Sequence, residues 1–426
     1  MSRRNRIDVL VMGLGRIGLP LALRAAEIGL HVVGLDADYD LVQKLSRGLS
    51  HVEGISDTEV ETVLRSGNLT VSEDREAGRG FEVAIVAVPA HFHDGYPDLA
   101  PIIDAIGTVG GLARRGSTVI LESTVYPGAT EGILREVLET QSGMKVGTEI
   151  SFGFSPDRID PGNTVWNLRS IPKIVSGCDA ESLARVNAFY SKIVDQTVQV
   201  GEVRVAELSK LIENSFRYLN IAFVNELARL ASVAEIDIWA AVEAAATKPF
   251  GFMRFDPGPG PGGQCLPTDS ETLAWFSVRE NGRKLGILDE AIVVNRSMPH
   301  YVVERLQDSL VNRGRVLAGS RILLLGFTYK RNVLDLRRCP AAILSEVLVK
   351  LGASVFGADP LLTQADWDRF PSVLRVDLDE RSIASAGAVV LVVDHDAFDF
   401  DLVVAHSEFV LDCRHVLPVS DNVEFL

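Results

Sequence analysis

Cysteine is scarce in this chain and never paired: Cys178, Cys265, Cys339 and Cys413 lie far apart with no Cys-x-x-Cys spacing. That excludes a disulfide framework and a thiolate zinc site, leaves no metal site to expect, and fits a reducing cytoplasmic compartment. Long apolar runs are missing as well. Every hydrophobic stretch ends within about ten residues at glycine, proline or charge, well short of the ~18 that a membrane-spanning helix needs. Positive charge is in deficit, with 42 Lys and Arg against 57 Asp and Glu and a formal net charge of -15. This balance argues against nucleic acid or an anionic membrane surface as partner. Low-complexity tracts are absent too. What remains, 47% hydrophobic and 23% charged residues over 426 positions, is a globular composition long enough for two or three domains. The basic start ahead of Ile7 superficially looks like a leader, yet Asp8 interrupts the apolar stretch and a glycine fingerprint follows at once, so it reads as a first strand.

The pattern along the chain is α/β, with two Rossmann-like doubly wound parallel-sheet domains joined by a long central helix. Residues 7–12 form a short apolar run of the buried parallel-strand type, and Gly13-Leu-Gly15-Arg16-Ile17-Gly18 opens a helix directly after it. A strand at 31–36, a helix around 38–48, a strand ending at Val88-Pro89 and another at 117–122 continue the alternation. Between roughly 203 and 247 the sequence becomes one helical stretch without Gly or Pro, suited to joining domains and to a subunit interface. After about 315 strands and helices alternate again, at 321–327, 340–351, 353–359 and 388–394. The turn at Gly326–Lys330 lacks the G-x-G-x-x-G spacing, so it should not hold a pyrophosphate as the first one does. The expected division is a cofactor domain at 1–202, a central helical domain at 203–312 carrying a cysteine loop, and a second Rossmann-like domain at 313–426.

Three places carry candidate chemistry. The glycines of 13–18, with Arg16 and Ile17 among them, can bring backbone N–H groups and a helix's positive end against a pyrophosphate. Asp36 closes the second strand about 20 residues on, where a carboxylate accepts hydrogen bonds from the adenosine ribose and repels a 2′-phosphate, which favours NAD over NADP. Val88, Pro89, Ser123 and Thr124 fall at carboxyl ends of later strands, where open α/β sheets hold ligands. Lys210 and Asn214 are four apart on a predicted helix, so both leave one face, and a cationic donor beside a neutral one suits a developing oxyanion; a solvated surface pair would read the same way. Cys265 sits in Pro257-Gly-Pro-Gly-Pro-Gly-Gly-Gln-Cys-Leu-Pro-Thr-Asp269. Such a loop keeps its shape through proline and offers its backbone to a ligand through glycine, although in isolation it also reads as a surface turn. Cys265 and Asp269 share the four-residue spacing, with Pro267 arguing against a regular helix between them. Cys339, before Pro340 at a helix start, reads as a small capping-position residue, and Cys178 and Cys413 as small apolar side chains.

Taken together, these segments resemble the UDP-glucose/GDP-mannose dehydrogenase family over essentially the whole length. The resemblance runs through Gly13-Leu-Gly-Arg-Ile-Gly-Leu-Pro, Glu122-Ser-Thr-Val-Tyr-Pro-Gly, Ser155-Pro-Asp-Arg-Ile-Asp-Pro-Gly, Ala206-Glu-Leu-Ser-Lys-Leu-Ile-Glu-Asn, the Cys265 loop and Gly326-Phe-Thr-Tyr-Lys-Arg-Asn-Val-Leu-Asp-Leu-Arg. It implies four-electron oxidation of the C6 alcohol of a UDP- or dTDP-linked hexose, of glucose or N-acetylhexosamine type, with NAD as cofactor, in a homodimer or higher homo-oligomer. By the same resemblance, Cys265 forms a thiohemiacetal that is oxidised to a thioester, Lys210 and Asn214 stabilise the oxyanion, and Asp269 assists proton transfer. Thr124 then positions substrate or water, and Asp157 activates water where the family usually has glutamate. Arg158, Phe250, Phe252, Arg254, Gly262, Lys330 and Arg337 are the implied substrate contacts, with Lys210 and Asn214. Other departures are Gln264 for a common histidine and Asn332 for an aspartate. A two-electron β-hydroxyacid-type dehydrogenase and an idle NAD or nucleotide-sugar binding protein are the competing readings.

Overall fold

A computed structural model describes residues 6–160, 162, 163 and 165–426; the start of the chain and Pro161 of the Ser155–Gly162 motif lie outside them. The chain falls into two compact units, one reaching to Glu213 and including Glu271–Gly282, the other comprising Asn214–Ser270 and Arg283–Leu426.

The first unit is built on strands β1 (Val9–Met12), β2 (Val32–Leu35), β3 (Leu69–Ser72) and β4 (Val83–Val86), with helices α1 (Gly18–Glu27), α2 (Tyr39–Ser46) and α3 (Asp57–Ser66) between them. A hairpin, β5 (His91–His93) and β6 (Tyr96–Asp98), precedes α4 (Ala100–Leu112), β7 (Thr118–Leu121), α5 (Arg135–Ser142), β8 (Ser151–Phe154), β9 (Lys173–Gly177), α6 (Ala180–Ile193) and β10 (Thr197–Gln199). The main sheet has eight strands in the order β10-β9-β8-β7-β4-β1-β2-β3. Every neighbouring pair is parallel except β8 and β9, a departure from the all-parallel expectation. The strands are apolar on both sides because helices cover both. Leu10, Ala84, Val86, Val119 and Leu121 pack with α4 and α5, whereas Val9, Val11, Ile85 and Ile120 pack with α1, α3 and α6. This is the two-residue alternation of a strand, so a one-residue slip would exchange the faces. Chain growth reverses at β1 and β4, and the crevice at their carboxyl ends is where such sheets bind ligands.

In the second unit, α7 (Val203–Val233) continues from the first and is followed by α8 (Ile238–Ala246), the start of α9 (Cys265–Asn281) and α10 (Gly286–Asn312). Then come β11 (Arg321–Leu325), α11 (Pro340–Lys350), β12 (Ser354–Ala358), α12 (Gln364–Trp367), β13 (Leu374–Arg375), α13 (Glu380–Ala384), β14 (Ala388–Leu391), α14 (Phe400–His406), β15 (Val410–Asp412) and β16 (Val423–Phe425). The six strands run parallel in the order β13-β12-β11-β14-β15-β16. Ile322, Leu324 and Val390 face α10 and α11, while Leu323, Leu325, Val389 and Leu391 face α13 and α14.

Four readings change. The helical stretch expected over 203–247 breaks after Val233, because Glu235 takes a left-handed φ of 57° and Asp237 caps α8 by accepting from the Trp239 and Ala240 N–H groups. The fourth strand ends at Val86, and Val88-Pro89 lie in the loop beyond it. The α/β pattern did not reveal β5 and β6, three residues each. Pro267 does not prevent a helix: α9 begins at Cys265, so the proline falls in the first turn, where no intrahelical partner exists for its missing N–H.

A β-carbon in the left-handed region costs about 1–2 kcal/mol, against about 0.5–1 kcal/mol for the extra chain entropy of glycine. Glu235→Gly is therefore expected to raise stability by roughly 0.5–1 kcal/mol, read as a higher urea midpoint at unchanged slope; a lower midpoint would contradict the strain.

Candidate active site

The dinucleotide end of the first unit follows from three glycines with different duties. Gly13 has φ of 91°, and a Cβ there would lie 2.6 Å from Ala87 O. One on Gly18 would fall 1.8 Å from Gly13 O, so the α1 turn closes only without side chains. Gly15 meets nothing within 4 Å, which leaves its face open to a ligand. No side chain caps α1 at Ile17, and its N-terminal N–H groups and dipole favour an anion. Arg16 and Ile17, both half-buried, flank that turn. The Asp36 carboxylate accepts from Leu14 N–H at 2.7 Å and Asp38 N–H at 3.0 Å, which fixes it beside the glycine turn with lone pairs left for ribose hydroxyls. Beyond β4 and β7, the Ser123 hydroxyl donates to Val88 O at 2.7 Å and ties the Val88-Pro89 loop to the residue before Thr124. These residues fit a dinucleotide.

Asp157 and Arg158 follow β8. Asp157 Oδ1 accepts from Ile159 N–H at 2.9 Å, and its carbonyl accepts from Lys210 Nζ at 2.6 Å, so Lys210 and Asp157 are brought together. Arg158 donates to Pro172 O at 2.7 Å and pairs with Glu213 at 2.7 Å, a bracing role within the loop. Lys210 is 6% exposed, so the solvated-surface alternative does not hold for it.

The thiol lies in the second unit. Cys265 is exposed and heads α9, where the helix dipole stabilises negative charge on sulfur. The loop before it is clamped. A Cβ on Gly262 would lie 2.7 Å from Tyr329 Cβ and 2.8 Å from Arg338 O, and Gly263, at φ of 81°, donates its N–H to Arg337 O at 2.9 Å. The Arg337 guanidinium is bound to Asp335, which foremost raises its pKa, and it also interacts electrostatically with Cys265 and Tyr329. Asn214 Nδ2 donates to Asp269 Oδ2 at 2.5 Å, and both side chains are buried. The spacing of Cys265 and Asp269 is thus truly helical. Lys330 is half-buried in the turn after β11, its carbonyl accepting from the Thr328 hydroxyl. Phe250, Phe252 and Arg254 stand apart on an exposed stretch, with Lys248 5.0 Å over the Phe250 ring and Arg254 paired to Asp256.

The other cysteines are unsuited to nucleophilic work. Burial pushes the Cys178 thiol up to about 12 and Cys339 up to about 11, and raises Cys413 as well. At Cys339, the N-cap of α11, burial outweighs the opposing pull of backbone hydrogen bonding with Ala342.

Several supporting contacts, unlike the motifs some of them fall in, carried no sequence signal. Asn225 accepts from Gly258 N–H at 3.0 Å and donates to Asn295 at 3.1 Å, and Asn295 donates to Tyr218 O at 3.0 Å, a buried amide relay that anchors the cysteine loop. Glu207 accepts from Gly128 N–H at 2.6 Å and Thr130 N–H at 3.0 Å. Glu122, Lys173 and Tyr190 form a buried cluster behind Ser123. In the second sheet, Asp359 accepts from Phe327 N–H at 2.6 Å, just as Asp36 accepts from Leu14, but His395 closes over it at 3.2 Å. His395 Nδ1 accepts from Asn332 N–H, so the proton sits on Nε2, facing Asp359 and Thr328. The carboxylate that could take a ribose in this domain is sealed.

Comparison with known proteins points to one family along the chain. Sequence models of the UDP-glucose/GDP-mannose dehydrogenase family match in succession, the NAD binding domain over residues 7–194, the central domain over 204–297 and the UDP binding domain over 323–419. The UDP-N-acetyl-D-glucosamine 6-dehydrogenase of Pseudomonas aeruginosa is 33% identical over 410 residues, 95% of this chain and 91% of that one. Its counterpart of the same name in Salmonella typhi is 31% identical over 98% of both chains. The solved UDP-D-ManNAc dehydrogenase from Pyrococcus horikoshii matches with a TM-score of 0.87 at 28% identity, again over 98% of both.

Burial moves the Glu207 carboxyl from an ordinary 4.5 to about 7, against the opposing pull of its bonds to Thr130 and Gly128. The folded chain therefore keeps a proton that the unfolded chain has lost between those values, and stability falls as pH rises through that window, by roughly 3 kcal/mol in all. Glu207→Gln is expected to flatten this slope in urea titrations between pH 5 and 7; an unchanged slope would contradict it.

Proposed function

The chain belongs to the UDP-glucose/GDP-mannose dehydrogenase family and is an NAD-dependent oxidoreductase acting on a nucleotide sugar, and we propose that it oxidises the C6 alcohol of a UDP-N-acetylhexosamine to the uronate through a thioester on Cys265. The observation that carries this reading is the placement of Cys265: exposed, first in α9, and on a loop tied to Arg337 O through Gly263 N–H with no room for other side chains. The acetamido sugar is supported by the names of the relatives from Pseudomonas aeruginosa and Salmonella typhi.

An alcohol can surrender a hydride directly, but an aldehyde must gain a nucleophile before its carbon can lose a second one. Bound NAD supplies the hydride acceptor in both rounds. Sulfur of Cys265 adds to C6 of the aldehyde, forming the C–S bond while the carbonyl oxygen becomes the oxyanion. We assign Asn214 and Lys210 to that oxygen, and Asp269, held by Asn214, to the proton that leaves and returns. After the second oxidation, water attacks the thioester, the C–S bond breaks, and the thiolate departs. The sum is one alcohol and one water converted to one carboxylate, with two hydrides transferred and protons released. Asp157 is the assigned base for that water. Its Oδ1 is engaged by Ile159 N–H, so activation falls to Oδ2, one methylene further back than a glutamate would reach. Thr124 positions the water. Gly13, Gly15, Gly18 and Asp36 hold the dinucleotide, and Lys330 and Arg337 suit the diphosphate of the sugar nucleotide.

The division into a cofactor domain, a central helical domain and a nucleotide-sugar domain at 1–202, 203–312 and 313–426 belongs to the same proposal, as does a cytoplasmic site of action. Among the described residues, no helix is long and apolar enough to cross a membrane. On α7, Phe216, Phe223, Leu230 and Val233 are 46%, 61%, 64% and 86% exposed, an apolar stripe at near-heptad spacing that suits a homodimer.

Cys265→Ser is expected to stop the reaction after the aldehyde, giving one NADH per sugar at most and no uronate mass, where the unmodified chain gives two. Uronate made by the serine variant at an undiminished rate would overturn the thiol's role. Sedimentation at micromolar concentration is expected to give a dimer mass; a monomer would contradict the α7 stripe as interface.

A further inference from the structure

We infer that Glu122, Lys173 and Tyr190 form a buried positioning triad that holds the Pro156–Asp157 peptide in register with Ser123 and Thr124, and that cleavage of the thioester is the step that depends on it. The inference rests on the reading above in which Asp157 activates water. Lys173 Nζ lies 2.8 Å from Glu122 Oε2, donates to Pro156 O at 3.0 Å and sits 5.0 Å over the Tyr190 ring. The Tyr190 hydroxyl donates to Glu122 Oε1. All three side chains are buried, with relative exposures of 1%, 4% and 0% for Glu122, Lys173 and Tyr190. A buried ion pair is a poor source of stability, since apolar residues of the same volume serve as well, so the weight of this cluster lies in the backbone that it holds.

Three elements converge on that point: the end of β7 through Glu122, the start of β9 through Lys173, and α6 through Tyr190. Pro156 C=O and Asp157 C=O flank the α-carbon of Asp157. Lys173 holds the first and Lys210 the second, at 2.6 Å, so the residue is pinned by a cationic donor on each side. Ser155 is fixed as well, its N–H donating to Leu121 O and its hydroxyl to Ile174 O. At the other end, Glu122 is joined by one peptide bond to Ser123 and by two to Thr124. One cluster therefore sets the spacing of the water-positioning hydroxyl and the water-activating carboxylate. On the proposed reading, water attack on the thioester is the step that needs both groups together. Burial foremost pushes both Glu122 and Tyr190 up.

The test follows NADH and the intact mass of the full chain after rapid quench, with NAD and whichever of UDP-N-acetylglucosamine, UDP-N-acetylmannosamine or UDP-glucose gives the larger NADH burst. Lys173→Met and Tyr190→Phe are expected to keep the burst while the steady-state rate falls about 10- to 100-fold and a sugar acyl adduct accumulates on the protein. Lys173→Arg is expected to recover most of the rate. Should Lys173→Met fail to fold, Tyr190→Phe, which removes a single hydroxyl, decides by the same readout. Burst and steady state falling together, with adduct no higher than in the unmodified chain, would overturn the triad while leaving the role of Asp157 intact. Asp157→Asn run alongside separates the two claims: turnover without adduct in that variant overturns the reading of Asp157 and the triad with it.

Discussion

One close approach governs the chemistry: the backbone at Gly262 and Gly263 lies against Tyr329 so tightly that a Cβ would fall 2.7 and 2.9 Å from its side-chain atoms. Because nothing but glycine fits, the loop has a single course into α9, and that course leaves Cys265 exposed at the helix head. The same contact carries the Gly263 N–H to Arg337 O and so ties the cysteine loop to the residue whose guanidinium is bound to Asp335. A longer side chain at either glycine would move Cys265 and Arg337 together. The Asn225–Asn295 relay serves the same end from the other side of the loop, holding Gly258 by its N–H in a place where an unpaired amide would be costly.

The two units use one physical device for two purposes. In the first, glycines let the chain reach the start of α1, where N–H groups and the helix dipole suit a pyrophosphate; in the second, glycines lead into α9, where the dipole suits the thiolate proposed for Cys265. The two sheets also share a carboxylate at the end of the second strand, bonded to the turn after the first. Asp36 stays half-buried and available, whereas Asp359 is closed off by His395. Of these two carboxylates, Asp36 is the one left open to a ribose.

Much of this was legible from residue types. The glycine fingerprint, Asp36 and the alternating strands fixed the fold because parallel strands buried on both faces have a compositional mark that survives without coordinates. The Cys265 loop stood out for the same reason, glycine and proline being used where side chains are excluded. Illegible were features that depend on contact across sequence distance. Nothing local marks Glu207 as gripping the turn at Gly128, or Lys173 as reaching Pro156 O. The break in the central helix was hidden because Glu235 enters the left-handed region without glycine, and the helical start of α9 was hidden because Pro267 reads as a breaker unless the first residue of the helix is known. Phe250, Phe252 and Arg254 came from family resemblance alone, and their exposed stretch offers no independent reason to join them to the sulfur.

The central claim is that sulfur of Cys265 carries the sugar carbon between the two oxidations. Its most direct test is a single turnover of the unmodified chain with UDP-N-acetylhexosamine and NAD, trapped with hydroxylamine and followed by peptide mapping. The account predicts a sugar hydroxamate released in place of uronate, with the acyl group found on the peptide containing Cys265 when the trap is omitted and the reaction is quenched early. Full conversion to uronate with no hydroxamate and an unmodified Cys265 throughout would contradict it.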